Sequence, residues 1–234
     1  MSFTRRVSFI APLVLLALQS PLLAADFRFL AWDDAVGIRK LGLQSGTEVQ
    51  EIKDLHPLKR TPTVKGKGQV QQLVALDKLD ATGKPHAVAL TVPADFQSPL
   101  VLVMPDPKHP TGVRPFVIDD NTARFKWGSI RVLNATGKVA LMKVENTGSQ
   151  LPAAWTPVDI DPGGAKRNMA VQVALKDDPK TIVYSAVWEH DPDVRELVIL
   201  IPDPESRMGT LDCKIIPENR KALEAAAAAA AKDE

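Results

Sequence analysis

The sequence predicts an all-β protein made of two tandem immunoglobulin-like β-sandwich domains, followed by a short C-terminal alanine-rich helix. Two near-identical apolar segments that end in Pro-Asp-Pro, at 100–107 (LVLVMPDP) and 197–204 (LVILIPDP), indicate a duplication. Several stretches alternate apolar and other residues with the period of a strand. The 19 prolines and 13 glycines, spread through a body without an amphipathic helical pattern, are typical of a β-sandwich.

The N-terminal segment is typical of a secretory signal peptide. Arg5 and Arg6 supply positive charge, residues 9–18 form an apolar run, and small residues precede Asp26. A run of this length is shorter than the ~20 apolar residues that span a bilayer. We therefore expect residues 1–25 to be removed, the mature protein to be exported to the periplasm or the extracellular space, and no transmembrane segment to remain. The arginine pair leaves twin-arginine export open beside the general secretory route.

The charge balance gives no electrostatic argument for a nucleic acid or an anionic membrane as partner. The 29 basic and 28 acidic residues give a net charge of +1, and removal of the signal peptide takes away two arginines. One stretch is locally basic, and its members are Lys53, Lys59, Arg60, Lys65 and Lys67. It is either a solvated loop or a docking patch for an acidic polymer, so these residues are candidates for an interaction surface.

The two apolar segments align at a spacing of 97 residues, and the alignment extends beyond them without a gap. The downstream matches are Gly112 with Gly209, Phe116 with Cys213, and Ile118 with Ile215. Repeats of this length form independent domains and not solenoid units. We expect repeat 1 at residues 26–127 and repeat 2 at residues 128–216.

Each repeat contains several predicted strands. They lie at 70–76, 86–92, 100–104 and 113–118 in repeat 1, and at 169–175, 182–188 and 197–201 in repeat 2, with another after Gly209. The continuous apolar run 197–201 predicts a strand buried on both faces. The Pro-Asp-Pro that follows predicts the end of that strand, because proline supplies no N–H donor for the ladder.

The tail at residues 217–234 is the helical candidate. Pro217 suits a first helical turn, and residues 218–232 include an unbroken alanine run. The segment lacks an apolar stripe, and an isolated helix of ~15 residues is marginal in water. The tail is therefore either an exposed, fraying helix or a spacer that a partner orders.

The sequence lacks the motifs of common enzymes and cofactor sites, so we expect a protein that is not an enzyme and uses no cofactor or metal. G-x-S-x-G, H-E-x-x-H, C-x-x-C and phosphate-binding glycine loops are absent. The four histidines never stand at zinc-ligand spacing. Paired aspartates such as Asp119-Asp120 favour turn formation over calcium binding. The single cysteine, Cys213, is expected to be buried in a strand.

The aromatic content argues against a large sugar-binding platform, because the chain holds four tryptophans and one tyrosine. Trp188 shares a predicted core face with Tyr184, which favours burial of both. Trp155 precedes Thr156-Pro157 and is the tryptophan that we most expect to be exposed. It is therefore a further candidate for an interaction surface.

Short motifs mark the connection between the two repeats. A strand end, V-I-D-D, lies at 117–120, a strand start, G-S-I-R-V-L-N, lies at 128–134, and a Pro-Gly turn follows at 162–163. These motifs resemble those of uncharacterised exported bacterial proteins with two tandem β-sandwich-like repeats, joined by a V-x-D-D strand end and a G-S-x-R-x-x-N strand start. The resemblance implies the fold and export, and it supplies no activity, cofactor or catalytic residue.

We expect an exported, non-catalytic structural or interaction protein of the cell envelope or extracellular space, whose partner is an unidentified envelope protein or polymer. Two alternatives remain open. A periplasmic chaperone-like binder of a partner polypeptide would work by strand donation and would need a basic cleft between the domains. A carbohydrate-active protein would need coplanar exposed aromatics or a carboxylate pair at a working separation.

Overall fold

The structure, a computed structural model, describes residues 25–67, 70–203 and 210–232. The predicted signal peptide lies outside these ranges except for Ala25, and Gly209 also lies outside them. Within them the chain is mostly β-structure, and no helix is long and apolar enough to cross a membrane.

The described residues form sixteen strands and two helices. The first half contains β1 Ala25–Ala31, α1 Asp34–Gly37, β2 Leu41–Ser45, β3 Glu48–Glu51, β4 Val64–Gly66, β5 Gln71–Leu79, β6 Pro85–Leu90, β7 Pro99–Pro105 and β8 Val113–Asp119. The second half contains β9 Ile130–Asn134, β10 Ala140–Val144, β11 Thr147–Leu151, β12 Val158–Ile160, β13 Arg167–Leu175, β14 Asp178–His190, β15 Val194–Pro202, β16 Leu211–Asn219 and α2 Arg220–Ala230.

Within the described ranges the strands form four sheets of four strands, two in each half of the chain. In the first half, called sandwich 1, β4-β1-β7-β8 is the inner sheet and β3-β2-β5-β6 is the outer sheet. In the second half, sandwich 2, the inner sheet is β12-β9-β15-β16 and the outer sheet is β11-β10-β13-β14. The two strand orders are identical, and in each inner sheet the first strand runs parallel to the seventh. The prediction of tandem β-sandwiches is confirmed.

Three apolar layers separate the four sheets. One lies within each sandwich, and the third lies between the two inner sheets. In β7, Leu100 and Leu102 face the third layer, whereas Val101 and Val103 face the layer of sandwich 1. Alternate residues of a strand point to opposite faces, so a strand between two layers is apolar at each position. Strand β15 has the same arrangement, which confirms its predicted burial on both faces. The predicted boundary between residues 127 and 128 falls in the β8–β9 connection and stays a prediction.

The gapless alignment of the repeats is wrong in the last strand of each. Strand β7 pairs Leu100 with Ile118, whereas β15 pairs Leu197 with Ile216. Ile118 therefore corresponds to Ile216 and not to Ile215, and the other matches in that strand shift in the same way. The physical reason is loop length, because the connection from β15 to β16 is one residue longer than the connection from β7 to β8.

The short C-terminal helix is present, but it begins later than predicted. Strand β16 continues through Pro217 to Asn219, and only then does α2 begin. The Asn219 side chain accepts a hydrogen bond from the N–H of Ala222 at 3.1 Å and caps the helix. Pro217 fits the strand because its cross-strand partner Glu196 donates its own N–H the other way, to the carbonyl oxygen of Ser129 just before β9, so this pair exchanges no ladder bonds.

Candidate functional site

Strand β14 leaves a long edge of sandwich 2 unpaired among the described residues. It spans 13 residues and pairs within its sheet only with β13. The N–H of Glu145 donates to the C=O of Ala170 at 2.8 Å, so Ala170 directs its backbone groups away from β14. Its cross-strand partner Val187 therefore turns its N–H and C=O toward the free edge, as the alternation of an antiparallel ladder requires. Such an edge can accept a further strand.

A groove of about 420 Å³ lies between this edge and the strands β15 and β16 of the inner sheet. We call it the seam groove. Its main lining residues are Val187, Glu189, Asp191, Glu196, Ile215 and Pro217. Because β14 and β16 are the edge strands of their sheets, the groove lies where the apolar layer of sandwich 2 ends. Its walls combine aliphatic side chains with carboxylates.

Glu196 brings to the seam groove a carboxylate that forms no ion pair with a basic side chain of the described residues. Its neighbour Leu197 faces the third apolar layer, so Glu196 faces the opposite way, into sandwich 2. Its Oε2 atom is buried and has no hydrogen-bond partner among the described residues. Burial raises the pKa of Glu196 to about 7, and the charge of Glu189 adds to the rise. A positively charged partner would remove the cost of this buried, unpaired oxygen.

The other two carboxylates of the groove share one cationic neighbour. Lys166 Nζ lies 2.8 Å from Glu189 and 3.5 Å from Asp191. His190, between them in sequence, is buried, and its Nε2 lies 3.4 Å from the carbonyl oxygen of Gly164. Three carboxylates beside one ammonium group make the groove negatively charged when all three are ionised.

A second charged group, which we call the junction cluster, is buried between the sandwiches. Its members are Arg28, Arg60, Asp120, Arg195 and Glu218. Asp120 and Glu218 hold equivalent places in the corrected alignment of the repeats. The Asp120 carboxylate lies 2.9 Å from Arg60 Nε and 3.3 Å from Arg195 Nη2. Arg195 Nε donates to Glu218 at 2.7 Å, and Arg28 bridges the two carboxylates.

The junction cluster keeps its buried carboxylate ionised. Burial alone would raise the pKa of Asp120, but Arg60, Arg195 and Arg28 together hold it below its usual value. Arg195 Nη1 also donates to the carbonyl oxygens of Asp120 at 2.9 Å and Phe125 at 3.2 Å. Charges that are paired and hydrogen-bonded in this way fix how the two sandwiches pack.

The motifs behind the family resemblance surround this cluster. Arg131 of β9 donates to both carboxylate oxygens of Asp159 at 2.6 Å and to the carbonyl oxygen of Asp119. The Phe125 ring lies between two guanidinium groups, with its centroid 4.7 Å from Arg131 Cζ and 4.9 Å from Arg195 Cζ. These motif residues therefore hold the connection between the sandwiches by packing and pairing.

The five basic candidates divide into two groups. The exposed members are Lys53, Lys59, Lys65 and Lys67. Arg60 is not part of that surface, because its side chain is only 3% exposed and belongs to the junction cluster. Its guanidinium is bound by Asp120 and lies 3.8 Å from Glu218, so interior carboxylates hold it away from solvent.

Trp155 is half-buried and packs against the third apolar layer. Its ring centroid lies 5.9 Å from that of Trp32 at an interplanar angle of 44°, and 5.2 Å from that of Phe116 at 57°. Lys214 Nζ lies 5.7 Å from the Trp32 centroid. Tilted rings make no flat stacking platform for a sugar, so this group contributes mainly to the contact between the sandwiches.

A larger groove, of about 550 Å³, crosses the outer face of the outer sheet of sandwich 2. Leu141, Ala174 and Ile182 are neighbours across three strands and form its floor. Gly148 leaves it open, because a methyl group added there would meet no atom within 4 Å. The equivalent second residue of β3 in sandwich 1 is Val49. Apart from Lys143 the lining is uncharged, with apolar, amide and hydroxyl groups, so it selects no class of ligand, and we favour the seam groove.

Metal-binding chemistry has no support in the described ranges, where no three His, Cys, Asp or Glu residues are placed to hold an ion. Cys213 is buried in β16, and burial raises the pKa of its thiol to about 12. Asp33 accepts from the N–H of Val36 at 2.8 Å and caps α1, which is the turn chemistry expected for such aspartates.

Sequence reasoning missed Arg195 and Glu196, although a signal was present. The two charged residues directly precede an apolar run that is buried on both faces. Because strand residues alternate, one of the two must enter each layer, and each then needs a partner or remains unpaired. The same signal marks Arg28 and Arg131, each of which interrupts an apolar strand.

Comparison with models of known protein families gave no match, and comparison with curated protein sequences gave no match either.

Proposed function

We propose that the protein is an exported, non-catalytic interaction protein of the periplasm or extracellular space that binds an extended segment of a partner polypeptide. The observation that carries the proposal is the free edge of β14 beside the seam groove. The segment adds to the outer sheet of sandwich 2 as a further strand. Ser185, Val187 and Glu189 supply the main-chain hydrogen bonds, because alternation turns their backbone groups outward.

The corresponding edge of sandwich 1 supports the choice of β14. Strand β6 spans six residues and begins on Pro85. Short strands and prolines protect sheet edges against added strands. Strand β14 is more than twice as long and has its proline, Pro179, at the second position, far from the seam groove. One of two equivalent edges is therefore protected and the other is open.

The packing between the sandwiches bears on the chaperone-like alternative. The third apolar layer and the junction cluster occupy the space in which an interdomain cleft would lie. Strand binding of the kind that this alternative requires is therefore better placed at β14. The candidate lysines Lys53, Lys59, Lys65 and Lys67 have no role in this binding.

The test uses Val187→Pro beside the control Val187→Ala. The probes are seven-residue peptides in which threonine alternates with lysine, glutamine or glutamate. Because the Val187 N–H faces the free edge, proline there removes no bond to β13, and we expect a melting temperature close to that of the wild type. We expect at least one peptide to bind the wild type and Val187→Ala, and to bind Val187→Pro at least about tenfold more weakly.

Three outcomes would overturn the proposal. Equal binding to Val187→Pro and the wild type, reproduced with Ser185→Pro, would show that the free edge is not used. Self-association of the wild type that Val187→Pro abolishes would assign the edge to a second copy of the chain. Hydrolysis of a polysaccharide by residues 26–234, lost in Glu196→Gln, would replace binding with catalysis.

Export has its own test, a fusion of residues 1–25 to alkaline phosphatase, which is active only outside the cytoplasm. We expect activity from this fusion and none from a control that lacks the apolar run at 9–18. An inactive fusion would contradict the export part of the proposal.

A further inference from the structure

A strand that adds to β14 places every second side chain in the seam groove. Strand β14 itself points Trp188 into the layer of sandwich 2 and leaves Val187 69% exposed on the outer face. The added strand shares this alternation, because it continues the same sheet. Its inward side chains therefore meet the groove wall formed by β15 and β16, where Glu196 lies.

The walls of the groove suit a long side chain with a charged end. Val194, Ile215 and Pro217 offer aliphatic surface to a methylene stem. Glu196 lines the same groove, and its buried Oε2 has no hydrogen-bond partner among the described residues. Lys166 neutralises only part of the charge of the two outer carboxylates.

We propose that the polypeptide segment bound at β14 carries a lysine or arginine that enters the seam groove and pairs with Glu196. This inference rests on the proposed function, since it needs a strand at β14. It names the chemistry of the partner, an extended segment with a basic residue on the face that points into sandwich 2. The ion pair gives Glu196 the hydrogen bond that the fold leaves open.

The titratable groups around Glu196 set the pH dependence of this pairing. Strand β14 and the turn after it present Glu189, His190 and Asp191, and the segment before β13 presents Lys166. The facing residues at the start of β9 are Ser129, just before the strand, and Ile130, those of β16 are Ile215 and Pro217, and none of them titrates. Binding of a basic group favours the ionised carboxylate, so affinity rises as pH increases through about 7.

The experiment compares the lysine-containing and glutamine-containing peptides on the wild type, Glu196→Gln, Glu48→Gln and Val187→Pro. Glu196→Gln keeps the shape of the side chain and removes its charge. Glu48→Gln is the matched control, because Glu48 is exposed, is paired with Lys67 and lies on β3 of sandwich 1, outside the seam groove. At pH 8 we expect the wild type and Glu48→Gln to bind the lysine peptide at least about tenfold more tightly than the glutamine peptide, and Glu196→Gln to bind the two equally.

The outcomes separate the inference from the proposed function. A preference for lysine that survives in Glu196→Gln, or that is lost equally in Glu48→Gln, would overturn the pairing with Glu196 and leave strand binding intact. Absence of any preference in the wild type would do the same. If Val187→Pro binds both peptides as the wild type does, strand addition at β14 fails, and the inference fails with it.

Discussion

Two adjacent residues of β15 carry opposite charges to opposite faces of the inner sheet and meet different surroundings. Arg195 is 1% exposed and is bound by Asp120 and Glu218. Glu196 has a buried oxygen without a partner among the described residues. Both lost hydration on folding, but only Arg195 gained compensating contacts. A compensated buried charge fixes packing, whereas an uncompensated one at a groove marks a place where a ligand can supply the missing contact.

At the equivalent cross-strand pair of sandwich 1, the acidic residue is paired with an arginine. Glu196 lies opposite Pro217 in β16, whereas Pro99 lies opposite Asp119 in β8, so acid and proline have exchanged strands. Asp119 is 3.0 Å from Arg124, which neutralises it. The duplicated fold therefore carries an acid at this cross-strand pair in both copies, but only sandwich 2 leaves it unpaired and beside an open edge.

The junction cluster is where a single substitution has the largest expected effect. Arg195→Met removes from the interior the most deeply buried of the cations that Asp120 and Glu218 share, so we expect the free energy of unfolding to fall by about 3–5 kcal/mol. Urea denaturation measures the change. As a control, Lys166→Met breaks only exposed pairs and is expected to cost less than about 1 kcal/mol. Equal losses in the free energy of unfolding for Arg195→Met and Lys166→Met would show that the junction cluster stabilises the fold no more than the exposed ion pairs at the seam groove do.

The carboxylates of Asp120 and Glu196 make the stability of the fold depend on pH in opposite directions. The pKa of Asp120 is lowered in the fold, so its contribution is present above its unfolded pKa and is lost as pH falls through the folded value. The pKa of Glu196 is raised to about 7, so its contribution is fully present below the unfolded pKa of a glutamate and is lost as pH rises from there through about 7. We expect the melting temperature to be highest near about pH 4, and the Glu196 contribution to fall between about pH 4.5 and 7. A curve that rises between pH 4.5 and 7, and that Glu196→Gln leaves unchanged, would contradict the assignment for Glu196.

The substitution Glu196→Gln measures how much the charge of the Glu196 carboxylate changes the free energy of unfolding. The amide cannot ionise, so at pH 8.5 we expect the variant to be more stable than the wild type by about 1–2 kcal/mol, below the full linkage value because the side chain is partly solvated. At pH 4, where Glu196 is protonated in the folded protein and largely protonated in the unfolded chain, we expect no such gain. Thermal denaturation at the two pH values measures both, with Glu48→Gln, which breaks an exposed pair in sandwich 1, as the control. A loss of stability at pH 8.5 would mean that Glu196 has a partner in the fold.

The smallest effect is expected at the larger groove, where Gly148→Val copies the residue of sandwich 1. A side chain meets no atom there, and a strand glycine costs about 0.5–1 kcal/mol, so we expect a gain of that size. Gly137→Val is the control, because it also meets nothing, but its φ of +74° is unfavourable for valine, and stability falls. We expect Gly148→Val to leave peptide binding unchanged. Loss of peptide binding in Gly148→Val would place the binding site in the larger groove and not in the seam groove.

The β-sandwich architecture could be predicted because its signals are local. Alternation identified strands such as β13, and continuous apolar runs identified the strands β7 and β15, of which β15 was predicted to be buried on both faces. The strand β3 was missed because all four of its residues are exposed and its sequence, EVQE, has no apolar face. The three-residue strand β4 is too short to show a period.

The candidate site could not be predicted because it depends on contacts between distant residues. Arg60 looked like one of five surface cations, and its burial follows from Asp120 and Glu218, which approach it only when the inner sheets pack. Conversely, nothing near Glu196 in sequence shows that its carboxylate lacks a partner. An unpaired charge is a property of the assembled layers and not of the strand that carries it.

The most direct measurement is amide hydrogen exchange along β14 with and without the threonine–lysine peptide, resolved by NMR. The free-edge amides of Ser185, Val187 and Glu189 are expected to exchange fast in the free protein, because they face no neighbouring strand. With saturating peptide at pH 8 we expect these three to become protected, while the amides between them, already bonded to β13, change little. Protection that appears only elsewhere, or fast exchange at all three residues with the peptide bound, would contradict strand addition at this edge.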